Sequence, residues 1–272
     1  LNLCPDAVKK LINAKTKALI FVGIGGNPAN YNEILKLCKD NGIIFILDAA
    51  HMAGSKIKGK TIGLDADATV YSFQAVKNMP TADSGMICFA DSELDYEARQ
   101  RSWLGIDKDT FSRTSSSLEY KWYYDVNFVG SKYHGNSIMA SLALVSLKYL
   151  EEDNEYRRYL STIYDTLLAG QDNIKPIQHS AKGLSFVSSR HLYQISVSPQ
   201  NRDRLMAHLN THSIFPGVHY RSNQEYSVYS SYSDVCPNAD YYSRSIISLP
   251  LHLHLQKAHI TYICDMIRSF FV

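Results

Sequence analysis

The sequence predicts a mainly parallel α/β domain followed by a smaller α+β domain. In the first half, short apolar runs alternate with helix-like segments, and the runs lie at residues 17–24, 43–49, 68–73 and 85–90. They are rich in Ile, Val and Phe and lack polar alternation, which is typical of parallel strands buried on both faces. A sustained helical pattern at residues 136–153 then predicts a bridge into the second domain.

The helices of this scheme have their own signals. Residues 30–41, between the first two runs, predict a helix that covers the sheet. The bridge helix has Gly135 near its start and apolar side chains at helical spacing, which are Ile138, Leu142, Val145, Leu147, Tyr149 and Leu150.

The second domain combines strands and helices. Its predicted elements lie at residues 192–197 (strand), 200–211 (helix), 245–249 (strand) and 256–271 (helix). The expected division is a large domain at 1–145 and a small C-terminal domain at 146–272. No internal repeat is visible.

The composition excludes several classes of protein. The chain has 272 residues, of which 45% are hydrophobic and 20% charged, and its net charge of +2 indicates no nucleic-acid partner. Its apolar runs fall short of the ~18 residues that a membrane span needs. Five scattered cysteines without CxxC spacing predict neither a metal site nor disulfides. We therefore expect reduced, buried cysteines in a cytoplasmic protein.

Two charged residues follow buried strands of the first domain. Asp48 comes directly after the run IIFIL, and Lys77 follows the strand at 68–73 after a short turn. Because open α/β sheets bind ligands at the carboxyl ends of their strands, both side chains are expected at the same edge. The spacing alone leaves two interpretations open, a structural ion pair or a site for cofactor chemistry.

Three segments around these residues resemble motifs of a known family. Residues 47–55 read LDAAHMAGS, residues 72–78 read SFQAVKN and residues 83–86 read DSGM. They resemble the Asp-Ala-Ala-His-x-x-Gly, Ser-Phe-x-x-x-Lys-Asn and Glu-Gly-Gly-Met motifs of the DegT/DnrJ/StrS sugar aminotransferases.

Later segments extend the resemblance over almost the whole chain. GSKYHGN at 130–136, GVHY at 217–220 and SLPLH at 248–252 resemble segments of the same family in the same order. The resemblance implies an aspartate-aminotransferase-like large domain with a mainly parallel sheet, a smaller α+β C-terminal domain, and pyridoxal 5'-phosphate as the cofactor.

The resemblance also implies roles for five residues. Lys77 would carry the cofactor and move a proton during the reaction. Asp48 would face the pyridine nitrogen and keep it protonated, so that the ring accepts electrons. His51 would lie by the ring, with a packed core histidine as the open alternative, and Ser72 would bind the cofactor phosphate. Lys132 matches a position from which the neighbouring subunit reaches that phosphate, which implies a homodimer with shared active sites.

The implied reaction moves an amino group, from an amino-acid donor such as glutamate, to a nucleotide-linked keto sugar in amino-sugar, lipopolysaccharide or related glycan biosynthesis. His219, Tyr220 and Asn223 are the candidate substrate-binding residues. Tyr220 and Asn223 lie in a loop-like stretch at 220–242 that is rich in Tyr, Ser and Asn, and His219 directly precedes it. Such a stretch is either solvated surface or a surface for sugar or nucleotide, and both interpretations stay open.

The start of the chain departs from the family pattern. Its first residues already resemble a segment that leads into a mid-domain strand, and Gly23 stands where the family often has His. In the family, a further N-terminal segment binds the cofactor phosphate and stacks on the ring. We expect this chain to lack that segment, because the sequence is a fragment, because the protein is naturally shortened, or because another chain supplies the segment. The alternative function is a shortened, catalytically impaired scaffold or regulatory protein.

A nicotinamide-dependent oxidoreductase is a rival interpretation. The segment GIGGNP at 23–28 follows a strand, and Asp48 ends the next one at about the ~20-residue spacing of a dinucleotide fingerprint. Pro28, however, stands where that fingerprint needs glycine or alanine. Dehydratases within the resembling family replace the cofactor lysine by histidine, so Lys77 argues against that branch.

Overall fold

A four-stranded sheet forms the first part of the protein, whose computed structural model describes residues 1–108, 124–181, 183–231 and 235–272. Its strands, in spatial order, are β1 (Ala18–Val22), β2 (Ile44–Asp48), β5 (Ala68–Ser72) and β6 (Gly85–Phe89). Each lies within an apolar run that predicted it. β1, β2 and β5 are parallel, whereas β6 is antiparallel to β5. The connection at 73–84 contains no helix, and a parallel strand needs a long crossover, so β6 returns antiparallel.

Helices cover one face of this sheet. The first two are α1 (Pro5–Leu11) and α2 (Tyr31–Asp40). The buried side chains of α2 recur at helical spacing and are Tyr31, Ile34, Leu35 and Cys38. They pack with strand residues that include Phe21, Phe45 and Leu47. Full burial of such a side chain contributes roughly 1.5–3 kcal/mol, so this layer holds the sheet to its helices.

The opposite face of the sheet is largely exposed, which corrects the expectation of strands buried on both faces. Ile20 and Ile44 on that face are 60% and 52% exposed. Their strand neighbours Phe21 and Phe45 are fully buried on the other side, because successive side chains of a strand point to opposite faces. The lack of polar alternation therefore indicated apolar side chains on both faces, not burial of both.

A second, antiparallel sheet forms the α+β part of the chain, and the predicted fold class is confirmed. Its strands, in spatial order, are β10 (Ile246–Leu249), β9 (Tyr193–Ser196) and β7 (Lys175–Pro176). The helices α5 (Pro199–Thr211) and α7 (Lys257–Phe270) pack against it. The core between them is apolar and includes Tyr193, Ile195, Leu205, Ile247, Ile260 and Ile267. All four elements predicted for this region are present.

The bridge helix α4 (Ser137–Leu167) is longer than predicted. Asn136 caps its start, because the side-chain oxygen of Asn136 accepts a hydrogen bond from the Met139 amide at 3.0 Å. The predicted end at residue 153 fell short since the charged run EEDNEYRR interrupts the apolar pattern. Leu160 and Tyr164, beyond that run, are fully buried. The boundary placed after residue 145 stays a prediction, and α4 runs through that position.

Several short elements were not predicted. They are α3 (Ser92–Ser102), α6 (Pro237–Ser245), β3 (Lys56–Ile57), β4 (Lys60–Thr61) and β8 (Phe186–Val187). α6 begins inside the stretch at 220–242 that was expected to be a loop, and its polar composition hid it. β8 pairs with β3, so a strand after α4 completes a sheet begun before it.

Cysteine burial was predicted only in part. All five cysteines are free, as expected, and Cys38 and Cys264 are buried. Cys4, Cys88 and Cys236 are exposed, which corrects the expectation that all five lie inside. Within the described residues, no helix has both the length and the apolar character to cross a membrane.

The segment after β8 fills the turn that follows β1. Ser188 Oγ donates to the Gly26 carbonyl at 3.0 Å, and the His191 amide donates to the Gly25 carbonyl at 3.0 Å. Gly26 has φ +88°, and a Cβ there would lie 2.1 Å from Ser189 Oγ. Protein atoms occupy the space that a pyrophosphate would need. The dinucleotide-binding interpretation of the glycines at 23–28 is therefore wrong. The lack of side chains at these glycines instead lets the segment at 188–191 pack closely against the turn.

Replacing Gly26 with alanine should destabilise the protein more than the same change at Gly42. Both glycines have positive φ, but nothing lies within 4 Å of a Cβ at Gly42. The left-handed conformation costs about 1–2 kcal/mol in either variant, and overpacking against Ser189 adds about 1–3 kcal/mol in Gly26→Ala alone. Urea unfolding of the two variants measures the difference. Equal free energies of unfolding would contradict the close approach.

Candidate active site

Polar side chains collect at the carboxyl edge of the first sheet. Asp48 ends β2 and Ser72 ends β5, so the two lie on neighbouring strands. Asp48 Oδ1 accepts a hydrogen bond from the Ala50 amide at 3.0 Å. Within the described residues, no other hydrogen bond or ion pair involves the Asp48 carboxylate. In the parts of the chain that the structure describes, Ser72 Oγ makes only a long contact of 3.4 Å with the Gln74 amide. Both side chains thus keep acceptor or donor capacity for a ligand.

A turn after β2 brings His51 to the same place. The Ala49 amide donates to the Val70 carbonyl and the Met52 amide to the Ala49 carbonyl, each at 2.8 Å. Residues 50–54 form turns. The turn carries the His51 ring inward.

The His51 ring is 7% exposed and has a defined tautomer. Its Nδ1 accepts a hydrogen bond from the Gly25 amide at 3.2 Å, which assigns the ring proton to Nε2. Burial, with smaller contributions from the charges of Lys77 and His219, lowers the pKa of His51 to about 3. The imidazole is therefore neutral at physiological pH and acts as a hydrogen-bond donor through Nε2.

Lys77 lies half-buried on the loop after β5. Its amide donates to the Gln74 carbonyl at 2.9 Å, which closes a turn. Burial lowers the pKa of the Lys77 amine, and the negative charge of Asp48 opposes that shift. No ion pair within 4.0 Å joins Lys77 to Asp48 or to any other acid in the described part of the chain. The interpretation of Asp48 and Lys77 as a structural ion pair is therefore wrong.

The second part of the chain contributes two of the predicted substrate-binding residues. His219 Nδ1 lies 2.8 Å from Ser248 Oγ on β10, and Gln194 Nε2 of β9 donates to the His219 carbonyl at 3.1 Å. The Tyr220 hydroxyl lies 3.5 Å from His51 Nε2. Burial and the charge of Asp48 raise the pKa of Tyr220, so its hydroxyl stays protonated.

The structure does not bring every predicted residue to this place. Asn223 is exposed in a short 3-10 turn (Asn223–Glu225) beyond Tyr220. Lys132 is exposed, and its Nζ lies 5.9 Å from the centroid of the Trp103 ring. Among the described residues, no hydrogen bond or ion pair connects Lys132 with Lys77, Asp48 or Ser72. Within a single chain, Lys132 therefore lies apart from the cluster.

Two buried residues of the site were not predicted from sequence. Asn78 follows Lys77 and is 6% exposed, and His191 is 8% exposed and packs against His51 with ring centroids 4.2 Å apart and the planes tilted by 30°. The position of Asn78 beside Lys77 was a usable signal. Nothing in the sequence around His191 distinguished it from a packed core histidine.

A cavity of about 800 Å³ adjoins Lys77. Its walls come from the Lys77 loop, from α4, from β10 and from loop segments of the second part of the chain, and they include Asn78, Tyr149, Arg157, His191, His219 and Ser248. Among the candidate residues, Lys77 and His219 line this cavity, which lies between the two parts of the chain, whereas Asp48, His51, Ser72 and Tyr220 are not among its lining residues.

Comparison with known families gives a match over nearly the whole chain. A sequence model of the DegT/DnrJ/EryC1/StrS aminotransferase family matches residues 1–268. The chain is 29% identical, over 265 residues, to dTDP-4-dehydro-2,3,6-trideoxy-D-glucose 4-aminotransferase of Saccharopolyspora spinosa. That alignment covers 97% of this chain and 68% of the relative, so the chain spans about two thirds of the relative's length.

Solved structures of aminotransferases have the same fold. The aminotransferase TlmJ from Streptoalloteichus hindustanus superposes with a TM-score of 0.90 at 26% identity, covering 100% of this chain and 70% of TlmJ. The putative sugar aminotransferase Spr1654 from Streptococcus pneumoniae in its PMP form gives a TM-score of 0.89 at 28% identity, covering 98% of this chain and 72% of that chain. Spr1654 has also been solved in a PLP form. The PLP and PMP forms of Spr1654 agree with the cofactor predicted from the sequence.

Proposed function

Because the chain belongs to the DegT/DnrJ/EryC1/StrS aminotransferase family, whose members are pyridoxal-phosphate-dependent sugar aminotransferases, we propose that it transfers an amino group from glutamate to a nucleotide-linked keto sugar. In this proposal Lys77 carries the cofactor and Asp48 activates it. The observation that carries the assignment is the convergence of Lys77, Asp48 and His51 at one sheet edge without an ion pair between the lysine and the acid.

The charges of this cluster fit pyridoxal phosphate. Asp48 offers a carboxylate that accepts one hydrogen bond from the chain, at 3.0 Å, and has no cationic partner within ion-pair distance in the described part of the structure. A carboxylate with free acceptor capacity suits the protonated nitrogen of a pyridine ring. The lowered pKa of Lys77 favours the neutral amine, which is the form that attacks an aldehyde. Asp48 thus suits the pyridine nitrogen of the cofactor, and Lys77 suits its aldehyde.

When bound, the pyridoxal ring accepts the electron pair that is released as a proton leaves the amino carbon. Asp48 supports this by keeping the ring nitrogen protonated, since an adjacent carboxylate raises a base's pKa by about 1–3 units. Lys77 would move a proton between the amino carbon and the cofactor carbon, away from the donor in the first half of the reaction and onto the sugar carbon in the second. The half-buried position of Lys77 limits exchange of that proton with water.

The remaining residues orient the cofactor in this proposal. His51 donates through Nε2, because its Nδ1 already accepts from Gly25 at 3.2 Å. That donor suits the 3-hydroxyl of the ring. Ser72, at the end of β5, offers its hydroxyl to the phosphate. His219 and Tyr220 face His51 from the second part of the chain and would contact the sugar, with Asn223 at the outer end of the same segment.

A homodimer completes the proposal. Because Lys132 makes no hydrogen bond or ion pair with Lys77, Asp48 or Ser72 in the described part of the chain, we assign it to the phosphate of the neighbouring subunit's cofactor. Two subunits would then share each active site, and cofactor affinity would be linked to association by mass action.

The first test concerns Lys77. The protein should form an amino sugar from glutamate, pyridoxal phosphate and a panel of nucleotide-linked keto sugars, detected by mass. Borohydride reduction of the loaded protein followed by peptide mapping should place the pyridoxyl mass on Lys77, because reduction fixes the cofactor to the lysine that carries it.

The matched control for this test is Lys77→Arg, which keeps the positive charge but cannot carry the cofactor. It should fold and form no amino sugar. A pyridoxyl mass on another lysine would refute the assignment, and the absence of any amino sugar from wild type would favour the alternative of an impaired scaffold.

Asp48→Asn should keep the fold and lower turnover by ~10³-fold or more, since loss of the carboxylate lets the ring nitrogen lose its proton. Asp67→Asn is the matched control. Asp67 precedes β5 at the opposite edge of the same sheet, where its carboxylate accepts from the Phe45 amide at 2.7 Å. Initial-rate measurements should separate the two variants. Near-normal transamination by folded Asp48→Asn would rule out the electron-sink role.

Lys132→Ala should weaken cofactor binding by about 10- to 150-fold, because a cation paired with a phosphate is worth about 1.5–3 kcal/mol. Lys148→Ala, an exposed lysine on α4, is the control and should leave affinity unchanged. Titration with pyridoxal phosphate, with light scattering to follow association, measures both properties. Equal affinities of the two variants, or full binding by an isolated monomer, would end the shared-site assignment.

A further inference from the structure

A second buried histidine stands directly behind His51. The ring of His191 lies 4.2 Å from that of His51, centroid to centroid, with an angle of 30° between the planes. His191 Nδ1 lies 2.7 Å from Asn78 Oδ1, and Asn78 is the residue next to Lys77. His191 therefore contacts one group of the candidate site with its ring face and the neighbour of another with its ring nitrogen.

The surrounding hydrogen bonds assign the direction of the bond between His191 and Asn78. Asn78 Nδ2 donates to Asn154 Oδ1 at 2.6 Å and to the Ser189 carbonyl at 2.8 Å, so both amide hydrogens are used. Asn78 Oδ1 is then the acceptor, and His191 Nδ1 carries the proton. Asn154 is held in turn by the Ala53 carbonyl, which accepts from Asn154 Nδ2 at 2.9 Å.

The two adjacent imidazoles are both neutral. Burial lowers the pKa of His191 to about 2, and the neighbouring titratable groups His51, Lys77, Arg157 and His219 act in the same direction. Neutral rings add no positive charge beside the Lys77 amine. A protonated His191 would place a positive charge beside Lys77 and His51 and would disfavour the charged form of both side chains.

We propose that His191 is a positioning residue, which holds the Lys77 loop through Asn78 and supports the His51 ring from behind. This inference rests on the proposed function for its effect on turnover. His191 comes from the second part of the chain, so through this residue the second part sets the separation of Lys77 and His51, which belong to the first. The bond spans 113 positions of the sequence.

His179 distinguishes a positioning histidine from one that only packs. His179 is also buried, with a pKa lowered to about 3 chiefly by burial, and its Nδ1 lies 2.8 Å from Ser188 Oγ. Its hydrogen bonds and ring contacts do not involve Lys77, Asn78 or His51 in the described part of the chain. If His191 were a packing residue, substitutions at 191 and at 179 would have the same kind of effect.

The test compares two changes at His191 with one at His179. His191→Phe keeps a ring against His51 but removes the donor to Asn78. His191→Asn keeps a donor, since the amide nitrogen of asparagine has the same bond separation from Cβ as Nδ1, but removes the ring. His179→Phe is the matched control, and thermal unfolding confirms that all three variants are folded at the assay temperature.

His191→Phe should lower kcat by ~10- to 100-fold with KM changed by less than about threefold, because a displacement of ~1 Å at a reacting group costs up to about 100-fold in rate. His191→Asn should retain more of kcat than His191→Phe, since it keeps the tether to the Lys77 loop. His179→Phe should keep kcat within about twofold, because Ser188 donates its own proton to the Gly26 carbonyl and that bond does not need His179. A loss of kcat in His179→Phe as large as in His191→Phe, or wild-type kcat in His191→Phe, would overturn the proposal.

A second readout does not depend on turnover. The apparent pKa of the Lys77 amine is measured in cofactor-free protein from the pH dependence of its acylation, followed by mass spectrometry. We expect the value in wild type to lie below the ordinary ~10.4 and to rise towards it in His191→Phe but not in His179→Phe, because a loosened loop exposes Lys77 to water. If wild type forms no amino sugar while this shift occurs, the proposed function fails and the positioning inference stands; an unshifted pKa in His191→Phe overturns the inference.

Discussion

The interlock between residues 188–191 and the Gly25–Gly26 turn is the constraint on which the site depends. In this interlock, the Ser188 hydroxyl donates a hydrogen bond to the Gly26 carbonyl and the His191 amide donates one to the Gly25 carbonyl, both at 3.0 Å. Each such bond contributes a net ~0.5–1.5 kcal/mol, whereas a buried polar group left without a partner costs about 1–3 kcal/mol. Because an unpaired buried polar group costs more than a formed hydrogen bond contributes, the paired arrangement is strongly favoured once both surfaces are buried.

Within the candidate site, desolvation outweighs direct charge pairing. Lys77 lies close enough to Asp48 to sense its charge, yet burial is the larger influence and lowers the lysine pKa. A tight ion pair would have kept the amine protonated and occupied the carboxylate. The neutral rings of His51 and His191 add no charge of their own. The result is a cluster whose amine and carboxylate both remain available to a ligand, a pattern that is typical of active sites rather than of structural ion pairs.

Much of the candidate site could be predicted because its signals are local in sequence. Asp48 and Ser72 end strands whose apolar runs are plain, and parallel strands place their carboxyl ends at one edge. Lys77 follows within a short turn. His191 and Asn154 could not be predicted in this way, since their contacts with Asn78 span 113 and 76 positions. The placement of Lys132 also stays a prediction, because its expected partner belongs to another subunit.

The sequence by itself determined the positions of the main strands and helices, the fold class and the family, because these follow from periodic apolar side chains and from motifs a few residues long. Tertiary structure alone decided which sheet face is buried, the direction of β6, the role of Gly26 and the tautomers of His51 and His191. Each of these depends on which distant groups come within contact distance. A hydrogen bond requires its donor and acceptor atoms to lie about 3 Å apart. The sequence alone does not show which distant groups reach that separation, because the packing of the two parts of the chain decides it.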